Sequence, residues 1–410
     1  MLEGHDIIYF SNDWNADNRT SSHHIAKRLA RSNRLLYIEA SGLRSPSSSL
    51  HDIKRIVRKI KRFLKGPQQL NSKIYIYTPV LLPFHRFRVI RKLNKFLLIK
   101  SLRLVCRKLK FKNPILWIII PHMSVVIGKL SEKLVVYWCV DDFSSLPGVE
   151  SGIVSWFDSQ ITKKADIIFT PSQPLYLKKK KINPNTYLTP HGVDFEHFSK
   201  AVDKNLTIPE DIKAIKKPII GFFGLIESRI DLELIKYIAK SKPHWSIVLI
   251  GRVAQNIEAF KDIDNVYFLG PREYEILPSY GKTFDVAIIP YVLNSKFAFN
   301  ANPIKLREYL AMGKPVVAVR TPEIEKFSDV VKIADSYQDF VDNIEVALKE
   351  DSEEKIKQRV EKVRNSSWEK RFGEIAEIVN SILKQKVTYK TETYLRGELP
   401  LNIKVFSYEP

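Results

Sequence analysis

The sequence predicts an α/β protein made of two parallel-sheet units, and three observations carry that reading. Short apolar runs alternate with helix-like segments along most of the chain, as in parallel sheets flanked by helices. The 410 residues, 44% of them hydrophobic, are enough for two domains of ordinary size. A polar, charged stretch at 199–216 divides the two series and reads as a linker.

Composition narrows the classes. Cys106 and Cys139 are far apart and lack metal-ligand spacing, which suits a reducing cytosol and argues against a disulfide scaffold or a zinc site. Residues 1–6 are too few and too polar for a signal peptide. Apolar runs such as 115–120 fall well short of the ~20 residues a membrane-spanning helix needs. The expectation is a soluble or peripheral protein of the cytoplasm. The formal charge is +21, and residues 51–110 carry 18 Lys and Arg against the single acid Asp52. Most of the excess is therefore one patch, of the kind that favours anionic lipid or nucleic acid.

In chain order, residues 6–10 read as the first strand and 35–38 as the second. Loops at the carboxyl ends of parallel strands bind ligands, so 11–22 is a candidate acceptor-side loop, with Asp13 and Trp14 in it. Thr20 or Ser21 caps a helix to Arg31 that carries His23 and His24, read as ordinary helix surface or as catalytic. Residues 51–65 form an amphipathic pattern with Ile53, Ile56, Val57, Ile60, Phe63 and Leu64 on one face. Lys54, Arg55, Arg58, Lys59, Arg62 and other bases surround that face, and a second basic segment spans 86–110. Basic helices with an aliphatic stripe suit an anionic membrane surface. Aromatics for base stacking are sparse, so no nucleic-acid partner is expected.

The runs 115–120 and 134–138 suit central parallel strands. The second leads into Asp141-Asp142 and a Pro147-Gly148 turn, where a carboxylate is either catalytic or an Asx turn that stops the strand. Residues 163–170 form a further helix-end and strand unit, and 178–181 is a lysine run of the kind usually found on a solvated face. In the second series, a strand from Pro218 ends in Gly224, where backbone N–H groups can approach a phosphate. Further strands fall at 246–250, 266–269, 284–289 and 316–319. Arg252 after one of them is a donor contact or a surface residue, and Tyr274 and Tyr291 either stack on a base or pack. Helices at 337–348, 353–364 and 368–384 close the chain, and 386–410 shows no clear period.

Residues 300–317 contain the sharpest pattern. Asn302 reads as an N-cap, Pro303 as the first helical residue and Gly313 as the left-handed stop before Pro315. Lys305 and Glu308 share one face. A cation in the first turn opposes the helix dipole unless an anion lies nearby, so Lys305 is either half of a surface ion pair or a phosphate ligand.

The Pro303-Ile-Lys305-Leu-Arg-Glu308-Tyr309 segment, with Gly313-Lys-Pro315-Val-Val after it, resembles the donor-site helix of GT-B group 1 (family 4-like) bacterial glycosyltransferases. The likeness is greatest to those of teichuronic-acid and exopolysaccharide synthesis. The resemblance extends to Tyr137…Asp141-Asp142-x-Ser144…Pro147-Gly148, His191-Gly192-Val193-Asp194 and Phe223-Gly224…Asp231-Leu232. It implies a GT-B fold, two Rossmann-like domains facing across a cleft. The acceptor domain would span 1–200 and the nucleotide-sugar domain 217–365, with 366–410 returning to the first domain. It implies Glu308 on the donor ribose and Lys305 on the diphosphate, with Arg229 or Arg252 assisting. Gly192 and Asp194 would line the gap. For an inverting reaction, Asp142 or Asp141 would be the base that deprotonates the acceptor hydroxyl. Asn300 stands where the family usually has a first glutamate, which contacts the transferred sugar. No metal or other cofactor is implied. The expected reaction moves a sugar from a nucleotide sugar to a hydroxyl of a lipid-linked or polysaccharide acceptor, on the inner face of the cell membrane. Two alternatives share the architecture: a nucleotide-sugar 2-epimerase, and a catalytically silent scaffold that binds nucleotide sugars.

Overall fold

A computed structural model describes residues 2–15, 19–40, 50–82, 87–146 and 148–395, without the side chains of 50–56, 387 and 389–395. Pro147 of the predicted turn, the side chains of Ile53, Lys54, Arg55 and Ile56, residues 83–86 and the tail from 396 lie outside the described residues.

Two sheets form. The first contains β1 (Asp6–Ser11), β2 (Arg34–Glu39), β3 (Gln68–Gln69), β4 (Ile74–Tyr77), β5 (Ile115–Ile118), β6 (Leu134–Trp138), β7 (Ile167–Thr170) and β8 (Thr186–Leu188). Their order is β3-β4-β2-β1-β5-β6-β7-β8, parallel except for β3 against β4. The second contains β9 (Ile219–Phe223), β10 (Ser246–Ile250), β11 (Val266–Gly270), β12 (Val286–Ile289), β13 (Val316–Val319) and β14 (Lys332–Ala334). It is wholly parallel, in the order β11-β10-β9-β12-β13-β14. Each is a doubly wound sheet whose order reverses once, beside β1 and beside β9, and ligands bind where such a reversal opens a crevice. The strands β3, β4, β8 and β14 were not among the segments read as strands; β8 and β14 have only three residues and β3 two, while β4, Ile-Tyr-Ile-Tyr, is an apolar run that was passed over.

Central strands are buried on both faces, as continuous apolar runs in parallel sheets require. Across the first sheet Tyr37, Tyr9, Trp117 and Phe169 stack in a row, with successive ring centroids 5.5, 6.3 and 6.3 Å apart.

The stretch 199–216 is not a free linker. Ala201 and Ile212 are buried in the second core, because the apolar residues within the charged stretch fall on the turns that pack inward. The chain passes between the units further upstream. There the Val193 N–H donates to the Ser366 carbonyl at 2.9 Å and the Trp368 N–H to the Val193 carbonyl at 3.2 Å. The two connecting segments thus run side by side. Helix Trp368–Leu395 then packs on the first core through Trp368, Ile375, Ala376 and Val379, and Glu369 receives Arg31 at 2.8 and 2.9 Å.

Gly192 is what lets the connecting segments touch. A Cβ there would lie 2.8 Å from the Trp368 nitrogen and 2.9 Å from its Cα, against backbone that cannot rotate away. Gly192→Ala should therefore cost about 1–3 kcal/mol, as overpacking does. The expected result is a lower urea midpoint with an unchanged far-UV spectrum; an unchanged midpoint would show that the crossing yields.

Candidate active site

The floor of the site is built where β9 hands over to its loop. Gly224 has φ +142° and Gly251, after β10, has φ +140°. The Gly224 N–H donates to the Ile250 carbonyl at 2.7 Å. A methyl group on Gly251 would run into the Gly224 carbonyl, and one on Gly224 into the Lys305 side chain. Only glycine fits both positions, so bare backbone faces Lys305.

Helix Ile304–Ala311 begins after Pro303, which is the cap residue, and Gly313 ends it at φ +71°. Asn302 corrects the expectation. It neither caps the helix nor turns to a donor. Its amide donates to the Pro171 carbonyl at 2.7 Å and to Glu323 at 2.9 Å, and its oxygen accepts from Arg307 at 2.6 Å. Glu323 also accepts from the Gln173 N–H at 2.7 Å, so Asn302 belongs to a clasp between the two units. Tyr309 pins the helix to the sheet: its hydroxyl accepts from the Phe223 N–H at 3.0 Å.

That leaves Lys305 and Glu308 facing the gap. Glu308 is buried, at 8% exposure, and Lys305 is half-buried with its ammonium 5.7 Å from the Phe222 ring centroid. Among the described residues neither side chain has a hydrogen-bond or ion-pair partner, so they are not a surface pair. Burial pushes Glu308 up to about 7, with Asp194 adding and Lys305 opposing. Burial also depresses Lys305, against the pull of Glu308 and with Arg229 adding. A buried charge without a partner is costly. A ligand offering hydroxyls to the carboxylate and an anion to the ammonium would relieve both.

Loops of the first unit close the gap from the other side. Arg229 pairs with Glu227, lies 4.6 Å from the Phe297 ring centroid, and reaches Asp141 at 3.7 Å. Burial lifts Asp141 to about 6, opposed by Arg229. Asp142 is in a different state. One oxygen accepts from the Ser144 N–H at 3.2 Å and hydroxyl at 2.5 Å, capping the turn Phe143–Ser145. The other is approached by Asn300 at 3.5 Å, Lys296 at 3.6 Å and Lys178 at 3.9 Å. Despite burial, these contacts hold Asp142 below the ordinary carboxylate range. Of the two candidate bases, Asp142 is therefore the Asx-type stop and Asp141 is the less committed carboxylate. The lysine run is mostly a solvated face, with Lys178, Lys180 and Lys181 exposed; the exception is Lys179, buried against Asp158, while Lys178 lies 3.9 Å from Asp142.

The histidines are neither surface nor cleft groups of ordinary basicity. His23 is buried, and its Nδ1 accepts from the Thr20 N–H at 3.2 Å in a capping box. Its Nε2 lies 3.3 Å from the Asp13 carbonyl and 3.2 Å from that of Trp14, which ties down the loop after β1. His24 stacks on Trp368 at 5.0 Å and burial lowers it to about 3. It is neutral at working pH and not poised as a base. Asp13 pairs with Arg62 at 3.2 Å, and Trp14 packs edge-on to Tyr37 at 4.9 Å. Arg62 also reaches Glu39 at 3.0 Å, and Glu39 accepts from Thr78 at 2.5 Å and the Trp14 N–H at 3.1 Å. Sequence reasoning missed Glu39. Its one signal was an acid closing the apolar run of β2.

Tyr291 is buried edge-on to Phe297 at 5.7 Å, its phenol raised to about 12 chiefly by burial. The Tyr274 ring is taken up by His197, stacked at 4.6 Å, and by the Arg19 guanidinium at 4.4 Å. Arg19 pairs with Glu275 as well, a further link between the units. Arg252 is exposed, and its carbonyl accepts from the Ile226 N–H at 3.0 Å. Among the described residues no three His, Cys, Asp or Glu side chains gather in a way that could hold a metal ion.

Comparison with known proteins agrees with this geometry. Residues 217–350, the unit holding Gly224, Lys305 and Glu308, match the family described as "Glycosyl transferases group 1". Over 285 residues, 63% of this chain and 70% of the relative, the sequence is 27% identical to TuaH of Bacillus subtilis (strain 168), named as a candidate teichuronic acid biosynthesis glycosyltransferase. The fold is similar to the UDP-forming α,α-trehalose-phosphate synthase of Burkholderia vietnamiensis. That match has a TM-score of 0.63 and 11% identity, and covers 91% of this chain and 96% of the other. It is also similar to Anabaena HepE in complex with UDP and glucose, with a TM-score of 0.55 and 14% identity over 95% of this chain and 100% of the other.

The Glu308 environment generates a pH prediction. Because its folded pKa is raised, Glu308 favours the fold while protonated, and that contribution is lost as pH rises toward 7. A ribose hydroxyl donates to the ionised form, so nucleoside diphosphate affinity should rise about tenfold from pH 6 to pH 8. Calorimetry should show Glu308→Gln binding more weakly and without this pH component; an unchanged profile would remove Glu308 from the site.

Proposed function

Because this chain is a group 1 glycosyltransferase with the GT-B fold, we propose that it moves a sugar from a nucleoside-diphosphate donor to a hydroxyl of a lipid-linked or glycan acceptor. None of the relatives above supports an epimerase. The observation that carries the donor assignment is the unpartnered Lys305–Glu308 pair beside the bare backbone of Gly224. In this reading Glu308 accepts from the ribose hydroxyls. Lys305 and Arg229 offset the charge that builds on the leaving diphosphate, with the N-terminus of helix Ile304–Ala311 behind them. Arg229 leaves Asp141 to do so, which frees that carboxylate to take the acceptor proton if the reaction inverts. Arg252, Tyr291 and Asn300 border this donor region at the ends of β10 and β12 and on the helix Lys296–Asn300. The name of the Bacillus subtilis relative supports a role in cell-surface glycan synthesis.

The acceptor side supports a membrane location. Among the described residues no helix is long and apolar enough to cross a membrane. Helices Leu50–Leu64 and Arg88–Lys108 nevertheless expose Leu64, Val89, Phe96 and Leu104 among their basic residues. Arg62 ties the first of them to Asp13 and Glu39 at the ends of β1 and β2, so a lipid-facing helix adjoins the acceptor loop. This arrangement suits an acceptor whose lipid remains in the cytoplasmic leaflet.

Two measurements test these assignments. Asp141→Asn should retain nucleoside diphosphate affinity and lose at least about a hundredfold in turnover, the usual scale of a general base. Asp142→Asn should instead lower the unfolding midpoint. Wild-type turnover by Asp141→Asn would discard it as the base; the product's anomeric configuration, read alongside, distinguishes inversion from retention. Second, the protein should cosediment with anionic vesicles and not with zwitterionic ones, less so as salt rises. Equal binding to both would dismiss the membrane reading, and Arg58→Gln with Lys59→Gln should weaken the cosedimentation.

A further inference from the structure

Asp194 occupies the N-cap position of the short helix Phe195–Phe198, yet its side chain does not cap that helix. An aspartate so placed ordinarily accepts from the helix's first N–H groups. Here the carboxylate turns to the Tyr274 hydroxyl, which donates to it at 3.4 Å. Neighbouring contacts fix its place. Val193 is pinned to Ser366 and Trp368, and Phe198 stacks on Phe223 at 6.0 Å and meets Tyr274 edge-on at 5.5 Å. Phe223 also packs edge-on to Tyr309 at 4.8 Å. Helix Phe195–Phe198 thus lies against helix Ile304–Ala311, and the segments holding Asp194 and Glu308 are braced on one ring.

Two carboxylates are thereby held near each other, and like charges that share a site disfavour each other's ionised form. Around Glu308 stand Lys305 on its own helix, Arg229 beyond that, and the phenols of Tyr274, Tyr291 and Tyr309. Around Asp194 stand Tyr274, His197 and, from helix Ser21–Ser32 of the first unit, Lys27 and Arg28. Arg28 is already bound to Glu369 at 3.0 Å, and Lys27 feels Glu275 as well as Asp194. Among the described residues neither cation closes an ion pair on Asp194, so they moderate its charge without cancelling it. Burial pushes Glu308 up to about 7, with Lys305 opposing and Asp194 adding.

Resting on the reading of Glu308 as the ribose ligand, we propose that Asp194 is a positioning residue of the donor site: through its charge on Glu308 it sets the pH range over which the site takes a nucleotide. Asp194 acts through its neighbour and touches neither donor nor acceptor. Only the ionised Glu308 accepts from both ribose hydroxyls without holding a proton of its own. Removal of the charge at 194 lets Glu308 ionise at lower pH, so the site becomes competent in more acidic solution.

The test separates this proposal from the reading beneath it. A thermal-shift panel of UDP, GDP, ADP and dTDP first identifies a nucleotide that binds. That nucleotide is then titrated by calorimetry at pH 6 and pH 8 against the wild type, Glu308→Gln and Asp194→Asn. Glu308→Gln keeps the responses of the ligand's terminal phosphate and of Lys305, and serves as the reference from which the Glu308 component is taken. If no nucleotide binds, or Glu308→Gln keeps the whole wild-type response, the donor-site reading fails and the proposal falls with it. Asp194→Asn removes the charge and leaves an oxygen for the Tyr274 hydroxyl. It should bind about threefold more tightly than the wild type at pH 6 and equally at pH 8, which cuts the Glu308 component to about a third. Damage to the fold would weaken binding at both pH values and cannot produce this gain. Should the Asn variant not fold, Asp194→Ser carries the same comparison. Equal or weaker binding than wild type at pH 6, with the Glu308 component present in the wild type, overturns the proposal and leaves the donor site standing.

Discussion

A carboxylate and an ammonium stand in the floor of the cleft without partners of their own, and the rest of the site is arranged around that imbalance. Ordinary folding pairs buried charges or keeps them solvated, because an unpaired buried charge costs several kcal/mol. Here Tyr309 and the glycines at 224 and 251 fix the helix and the backbone so that Lys305 and Glu308 are held near each other and not joined. Their pKa values move in opposite directions from burial, Glu308 up and Lys305 down. On the proposed donor reading, a ligand that replaced the lost solvation would relieve both, so donor affinity and the cost of the unpaired charges would have one origin.

Two kinds of contact between the units matter most for the cleft. The clasp of Asn302, Arg307, Glu323, Pro171 and Gln173 is buried, and its hydrogen bonds run from 2.6 to 2.9 Å. The paired segments at Val193 and Trp368 complete it. None of these contacts uses the groups that face the cleft. Arg229 to Asp141 at 3.7 Å and Asn300 to Asp142 at 3.5 Å are long, span the cleft and involve groups a substrate would engage. A substrate could take over these contacts while the buried clasp is left in place.

Much of this was legible in the sequence, and the limits have physical reasons. Period and punctuation marked the central strands, the helix that carries Lys305 and Glu308, and the stop at Gly313, because each is decided by a few adjacent residues. Asn302 looked like a cap because its residue type and its place before Pro303 favour one; its partners, Pro171 and Glu323, lie 131 and 21 residues away. Local chemistry cannot announce such a pairing. His23 and His24 sat on a polar helix and read as surface or as catalytic, yet helix Trp368–Leu395 returns from the far end of the chain to bury His24. Glu39 escaped notice for the same reason, its partners coming from β4's end, the loop after β1 and the basic helix. The stretch 199–216 was misread because its charges outnumber the few apolar residues that fix it to the second core.

Asp141 and Asp142 show why adjacency in sequence says little about role. They leave the same strand end one residue apart, and the backbone turns them into different surroundings. Asp142 meets a hydroxyl, an N–H, an amide and two ammonium groups, so its negative charge is well compensated and its proton affinity is low. Asp141 meets chiefly one guanidinium at long range, together with the Asp142 N–H at 3.0 Å, and burial leaves it near 6. A base that must accept a proton near neutral pH needs the second kind of environment. Compensation of Asp142 by Lys178 and Lys296 also keeps a second full negative charge from pressing on Asp141. The lysines that surround the structural carboxylate thereby act on the basicity of its neighbour.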